Sequence, residues 1–281
     1  MRTPEGLQAL LDDGLIDEVV RQLKSGKEAS VYVVRCGMEI RCAKVYKDMA
    51  QRSFRQRAQY QEGRKIRGSR QARAMAKSTR FGRREQEAAW KCAEADALYL
   101  FASAGVRVPK PHGFFSGVLL MELVTDAQGH SAPRLGEVEL TPEQAREFHE
   151  FLIRQVVRML CTGMIHGDLS EFNVLLDAQG PVIIDFPQVV SAAGNNNARS
   201  MLERDVRNIT ETLGRYAPEL LGTDYAAEIW ALFEQGELKP DSVLTGMYIK
   251  DDVSADIGEV MLAIDDAREE AVRRQLGRES A

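Results

Sequence analysis

The chain has 281 residues, 37 basic and 42 acidic, for a formal net charge of −5, with 44% apolar and 28% charged residues. That balance suits a globular protein with ample length for a core in one large domain or two lobes, and it excludes wholesale disorder, collagen and a disulfide-built secreted scaffold. The least polar stretch, Phe114 to Val124, already contains Glu122 and falls well short of the ~20 apolar residues of a membrane helix. Met1-Arg-Thr-Pro-Glu5 lacks the charged-then-apolar pattern of a leader. Cys36, Cys42, Cys92 and Cys161 are scattered, with no C-x-x-C pair, and are expected to be reduced thiols. A cytoplasmic protein without a membrane partner is the expectation.

Apolar residues at positions 7, 10, 11, 15, 16, 19, 20 and 23 keep helical spacing and predict two short helices broken at Gly14. After Ser25-Gly26 the period changes. Ala29, Val31 and Val33 alternate with Ser30, Tyr32 and Val34, Cys36-Gly37 reads as a turn, and Glu39 to Tyr46 reads as a second strand. From Gln51 to Arg84 there are 12 Lys/Arg and one acid, Glu62. That segment carries +11 and few large apolar residues, so the rest of the chain sums to −16. Such a block is expected to order only against an anion, as a phosphate- or RNA-facing loop or a plain solvated one. Arg84 to Phe101 is predicted helical, followed by strands at His112 to Phe115 and Val118 to Val124. The first 124 residues thus read as a mostly antiparallel sheet with one inserted helix.

Asp126 to Gly136 is punctuated by Gly and Pro and reads as a linker. Thr141-Pro142-Glu143-Gln144 is a helix start, with Thr as N-cap, Pro at the first helical position and Gln placed for a capping box. Ala145, Phe148, Leu152, Val156, Met159 and Leu160 follow at spacings of three and four, and Gly163 is a stop signal. Two short β runs, Asn173 to Leu176 and Val182 to Ile184, flank a turn at Asp177 to Gly180. The remainder reads as mostly helical. The whole is an α+β, bilobal layout: a sheet lobe over 1–124 and a helical lobe over 125–281.

One constellation carries chemistry. His166-Gly167-Asp168 is followed five residues after Asp168 by Asn173, and the strand Val182-Ile183-Ile184 ends in Asp185-Phe186. Phosphoryl transfer from ATP needs a carboxylate at the attacking hydroxyl or water, oxygen ligands for Mg²⁺, and a Lys at the α/β-phosphates held by a Glu. Asp168 is the base candidate, and Asn173 and Asp185 are the candidate ligands for Mg²⁺ (or Mn²⁺). Cys42-Ala43-Lys44-Val45 presents a strand lysine of the V-A-I-K type. Glu94 is chosen as its partner over Glu85, Glu87 and Asp96 on motif register. Leu119 to Leu123 joins the lobes. Met121 is the candidate gatekeeper, with adenine at the backbone of Glu122 and Leu123 and against Val31, Ala43 and Leu175 or Ile184.

Ile16 to Tyr32 (IDEVVRQLKSGKEASVY), Arg52-Ser-Phe-Arg55, Trp90-x-x-x-Glu94, His166 to Asn173 (HGDLSEFN) and Ile184-Asp-Phe-Pro-Gln188 closely resemble the RIO family of atypical protein kinases. The resemblance runs from about residue 14 to about 235. It implies a trimmed protein-kinase fold, ATP with Mg²⁺, Ser/Thr autophosphorylation or ATPase turnover, and work in ribosome maturation. For Asp185 it implies an aspartyl phosphate, making that residue both metal ligand and nucleophile. It also implies that Asp205 braces the catalytic loop through its backbone.

Departures from ordinary kinases matter to mechanism. The phosphate loop, Ser25-Gly26-Lys27-Glu28-Ala29-Ser30-Val31, has one glycine, so Ser25, Lys27 and Ser30 are expected to add side-chain contacts. Gly167 stands where ordinary kinases carry the Arg that reads a phosphorylated activation loop. No A-P-E signature follows Asp185 and 96 residues remain, so the platform that holds peptide substrates is expected to be missing. A protein substrate, and an RNA or ribosomal particle on residues 51–84, are the partner expectations. The rival functions are a small-molecule phosphotransferase of the aminoglycoside or choline kinase type and a nucleotide-gated RNA-binding factor.

Overall fold

The computed structural model describes residues 3–26, 28–47 and 93–248. The basic segment 51–84, Lys27, Trp90, Cys92 and everything after Tyr248 lie outside the described residues. All described residues up to Met247 belong to one compact unit.

Five antiparallel strands form the main sheet: β1 (Glu18–Ser25), β2 (Ala29–Cys36), β3 (Glu39–Tyr46), β4 (Pro111–Phe115) and β5 (Val118–Glu122), in the order β1-β2-β3-β5-β4. Period-two alternation divides their side chains between two faces. Tyr32, Ala43 and Leu120 are in register across three strands, and with Val34 and Val118 they pack against Leu7 and Leu10 of α1 (Glu5–Asp12). The opposite face carries Lys44, in register with Val31 and Leu119. Here Ala29, Tyr46 and Leu119 meet Ala95, Leu98 and Phe101 of the helix α2, described over 93–103. Neighbouring positions on one strand therefore have different fates: Ala43 enters the α1 side and Lys44 faces α2.

The second predicted N-terminal helix is a strand. Helix α1 stops at Asp12, Gly14 turns the chain at φ +68°, and residues 18–25 form edge strand β1. Two register irregularities, between Val19 and Arg21 and between Gln22 and Lys24, break the alternation, and Val20 points to solvent at 43% exposure. A bulged edge strand loses its period of two, and the apolar spacing that remains imitates a helix.

The helical side begins as the cap chemistry dictates. Thr141 accepts from Gln144 N at 3.2 Å and Gln144 Oε1 accepts from Thr141 N at 3.0 Å, with Pro142 at the first position of α3 (Pro142–Cys161). The expected linker 126–136 is tied down. Asp126 Oδ1 accepts from Gln128 N and His130 N, Thr125 bridges Ser131, and Arg134 bridges Leu175. Two short ribbons and two helices follow: β6 (Met164–Ile165) pairs β9 (Val190–Ser191), β7 (Val174–Asp177) pairs β8 (Gly180–Ile183), and α4 (Ala198–Gly214) and α5 (Tyr225–Glu234) pack on α3. One apolar core runs from Ala29, Tyr46 and Leu119 through Leu98 and Phe101 to Leu152, Val156, Leu202 and Ile209. Among the described residues, no helix is long and apolar enough to cross a membrane.

Candidate active site

Lys44 is the centre of the site. Its Nζ donates to Glu94 Oε1 at 2.5 Å and to Asp185 Oδ1 at 2.6 Å. Lys44 and Glu94 are buried, at 9% and 2% exposure, whereas Asp185 opens to solvent. Burial alone would depress the Lys44 ammonium, but the two carboxylates outweigh it and hold Lys44 above its ordinary range. Asp185 shows the mirror effect: burial raises its carboxyl, and Lys44 more than offsets this, so it sits below the usual carboxylate range. The second Glu94 oxygen, Oε2, is buried with no hydrogen-bond partner among the described residues. Asp185 itself is held at φ +71°, in the left-handed region that a non-glycine residue enters at a cost of roughly 1 kcal/mol. That backbone turns its carboxylate out of the line of β8 and onto Lys44.

The loop with Asp168 is built from backbone contacts. The β6–β9 pairing, Ile165 with Val190 and Met164 with Ser191, ties it to the stretch after Asp185. Buried His166 bonds Ile184 O through Nε2 at 3.2 Å and receives the Asp168 N–H on Nδ1 at 3.3 Å. Those partners require the neutral ring protonated on Nε2, and burial lowers its pKa to about 4. Helix α4 reaches the same loop with three side chains. Asp205 accepts from Gly167 N at 2.7 Å and Leu169 N at 2.9 Å, Arg204 donates to Gly167 O, and Asn208 donates to Leu169 O at 2.9 Å. Burial pushes the Asp205 carboxyl up to about 7 against the pull of those two N–H groups and Arg204.

Gly167 is required here. It sits at φ +79°, and a Cβ on it would lie 2.6 Å from Gln188 O. Asn173 Nδ2 donates to Asp168 O at 2.8 Å, while Asn173 O accepts from Ile184 N at 2.9 Å. Asn173 is therefore bonded both to the Asp168 backbone and to that of Ile184, the residue before Asp185. Asp168 is exposed, and its remaining burial holds its carboxyl above the usual range, opposed by Arg204 and reinforced by Asp185. Its Oδ2 accepts from Gln188 Nε2 at 3.1 Å.

The phosphate loop joins β1 to β2. Gly26 N bonds Ala29 O at 2.9 Å, and Ser25 and Ser30 share a hydroxyl contact of 3.2 Å. Lys47 closes the turn: its Nζ donates to Ser25 Oγ at 3.0 Å and Gly26 O at 2.8 Å, and its N–H donates to Glu28 O at 2.8 Å. Nothing in the sequence reading singled out Lys47, Gln188, Arg204 or Asn208 as functional; a cluster of polar residues on one helix face, Arg204 to Asn208, was the available hint for the last two. At the strand joining the lobes, the Glu122 N–H donates to Lys110 O at 2.8 Å and Glu122 Oε2 accepts from Lys110 N at 3.0 Å. Met121 and Leu123 are half-buried beside it.

No group of three or more His, Cys, Asp or Glu that could hold a metal occurs among the described residues. Asn173 and Asp185 offer hard oxygen donors on segments joined by the Asn173 O to Ile184 N–H bond, as few protein ligands as Mg²⁺ uses when phosphates supply the others. The donor set therefore fits Mg²⁺ held jointly with a nucleotide and does not fit a resident transition metal.

The family model of the RIO domain matches residues 30–226. The chain belongs to the RIO family. The RIO-type serine/threonine-protein kinase Rio1 of Haloferax volcanii is 33% identical over 216 residues, covering 76% of this chain and 69% of that one. The human serine/threonine-protein kinase RIO1 is 29% identical over 77% of this chain and 37% of its own length. Against that protein and RIO1 of Chaetomium thermophilum, this chain spans about two-fifths of the relative's length. In shape it is similar to the Rio2 kinase–ADP/Mg²⁺–phosphoaspartate complex from Chaetomium thermophilum, with a TM-score of 0.52 at 23% identity over 75% of this chain and 59% of that one. The fold is thus a bilobal, protein-kinase-like α+β fold. Lys44, Glu94, Asp168, Asn173, Asp185 and Asp205 lie inside the RIO-domain match, and Ser25 to Ala29 of the phosphate loop precede it.

Proposed function

We propose that this RIO protein is an ATP- and Mg²⁺-dependent serine/threonine autokinase with accompanying ATPase turnover. The observation that carries the reading is the pair of bonds from Lys44 to Glu94 and Asp185, made while Asn173 bonds the backbones of Asp168 and of Ile184, next to Asp185. Lys44 then neutralises the α/β-phosphates, with Glu94 fixing its position. Ser25, Gly26, Lys27, Glu28, Ala29, Ser30 and Val31 border the phosphates, and Lys47 stiffens that border. Adenine lies by Met121, Glu122 and Leu123; the Glu122 N–H is already bonded to Lys110 O, so recognition falls to the neighbouring backbone groups. Mg²⁺, when bound by Asn173 and Asp185, supplies positive charge at the phosphate oxygens.

Asp168 takes the proton from the attacking serine or threonine hydroxyl as oxygen bonds to the γ-phosphorus and the bond to ADP breaks with its electron pair. Where Asp185 is the acceptor instead, its carboxylate oxygen makes that bond and an aspartyl phosphate results. The full chain incubated with γ-labelled ATP and Mg²⁺ tests this. Protein-bound label and free phosphate are expected together, with an acyl phosphate released by hydroxylamine and a hydroxyl ester that survives it. Asp168→Ala is expected to abolish the hydroxyl-ester label while retaining Mg-ATP affinity, because the base is not a nucleotide ligand and attack by the Asp185 carboxylate needs no base. Transfer to the hydroxyl at the parental rate in that variant would remove Asp168 from the chemistry.

For residues 51–84 the charge of +11 supports an RNA or ribosomal partner, and the scattered cysteines with no C-x-x-C pair support a cytoplasmic site of action. RNA binding that weakens steeply as salt rises is the expected result.

A further inference from the structure

Gln188 has no role in the phosphoryl transfer proposed above, yet it touches the reactive carboxylate. Its Nε2 donates to Asp168 Oδ2 at 3.1 Å. Three features of the backbone produce that contact. The β6–β9 pairing closes just beyond it, with Val190 against Ile165. Val189 N bonds Phe186 O at 3.4 Å, which folds the intervening residues into a turn. Gly167, having no Cβ, lets the Gln188 carbonyl approach the catalytic loop to a distance that any other residue would obstruct.

The chemistry of the donor is informative. A carboxylate on an exposed loop rotates freely and offers either oxygen. A donor fixed on Oδ2 stops the rotation and leaves Oδ1 to take the proton. A lysine or arginine there would also cancel the charge that makes the group a base, whereas a neutral amide orients it and leaves the charge in place.

We propose that Gln188 is a positioning residue that orients Asp168 through Oδ2 for proton transfer. The proposal rests on Asp168 being the base. It is tested with the full chain and Mg-ATP on two variants, Gln188→Leu, of similar bulk, and Gln188→Glu, of the same shape but with no N–H to donate. Both are expected to lose 10- to 100-fold in kcat, on the scale of lost supporting contacts, with KM for ATP and affinity for a fluorescent ATP analogue within about two-fold of the parent. Full turnover in Gln188→Glu, a rise in KM at unchanged kcat, or loss of folding in both variants would overturn it. Asp168→Asn separates the two failures. If Asp168→Asn is inactive while both Gln188 variants are fully active, only the positioning role falls; if Asp168→Asn keeps parental turnover, the base assignment falls and takes the positioning role with it.

Discussion

Replacing Lys44 and replacing Glu94 are not equivalent experiments, because Lys44 has two carboxylate partners whereas Lys44 is the cation Glu94 depends on. Lys44→Met leaves Glu94, 2% exposed, as an uncompensated buried acid, a change that typically costs about 3–5 kcal/mol. Glu94→Gln keeps an acceptor for Lys44 and leaves it paired with Asp185, so about 1–3 kcal/mol is expected. Urea unfolding at pH 7 should therefore give a lower midpoint for Lys44→Met than for Glu94→Gln, while both weaken ATP binding. Lys47→Met should raise KM for ATP several-fold with a smaller effect on kcat, since its bonds go to the phosphate loop and not to the reacting groups; steady-state kinetics reads the split. Lys44, Asp168, Asn173 and Asp185 were legible as candidates because their pattern along the chain is what the chemistry needs, whereas Glu94 was chosen among neighbouring acids on motif register. Lys47, Gln188 and Asn208 were not legible. A lysine after a strand, a glutamine in a loop and an asparagine on a helix acquire meaning only from where the fold brings them.

At the scale of elements, the capped helix α3, the strands β2 and β3 and the β7–β8 hairpin follow from local chemistry: a capping box, short runs rich in β-branched and aromatic residues around the Cys36-Gly37 turn, and a turn of Asp and Gly. Edge strand β1 did not, because its bulges and its solvent-facing Val20 erase the period that marks a strand. The two-residue strands β6 and β9 are too short for any pattern, yet they join the loops of Asp168 and Asp185. Helix α4 gives the loop its second anchor. Asp205→Asn would turn an N–H donor toward Gly167 N or Leu169 N in a buried site, and about 1–3 kcal/mol of stability should be lost, with a fall in kcat as the loop loosens. Gly167→Ala should be as damaging, since both its φ and the Gln188 carbonyl oppose a side chain. Thermal unfolding alongside single-turnover transfer measures both.

For the whole molecule, two buried histidines set an acid limit. His149, bonded to Thr210 Oγ1 at 2.9 Å between α3 and α4, and His166 are each lowered by burial to about 4 from an ordinary 6.5. Between those values the unfolded chain binds protons that the folded one refuses, so stability is lost as pH falls from 6.5 to 4. Asp205, raised to about 7, works in the opposite sense over the same range, which makes a comparison of variants the clean measurement. The stability difference between the parent and His149→Gln should shrink by about 1.4 kcal/mol for each pH unit of acidification in that window. A constant difference would mean that His149 takes up its proton as readily in the folded chain as in the unfolded one.

The apolar core that passes unbroken from Leu119 and Tyr46 through Phe101 to α3 and α4, with Phe186 edge-on to Phe101 at 5.4 Å between centroids, also governs time. Prising the halves apart means unpacking that core, so a bound nucleotide is expected to leave by loosening of the turn held by the Gly26–Ala29 bond, with its residence time set there. Amide exchange should follow the same division: early around Gly26, and at the slow limit of global unfolding in β3 and α2.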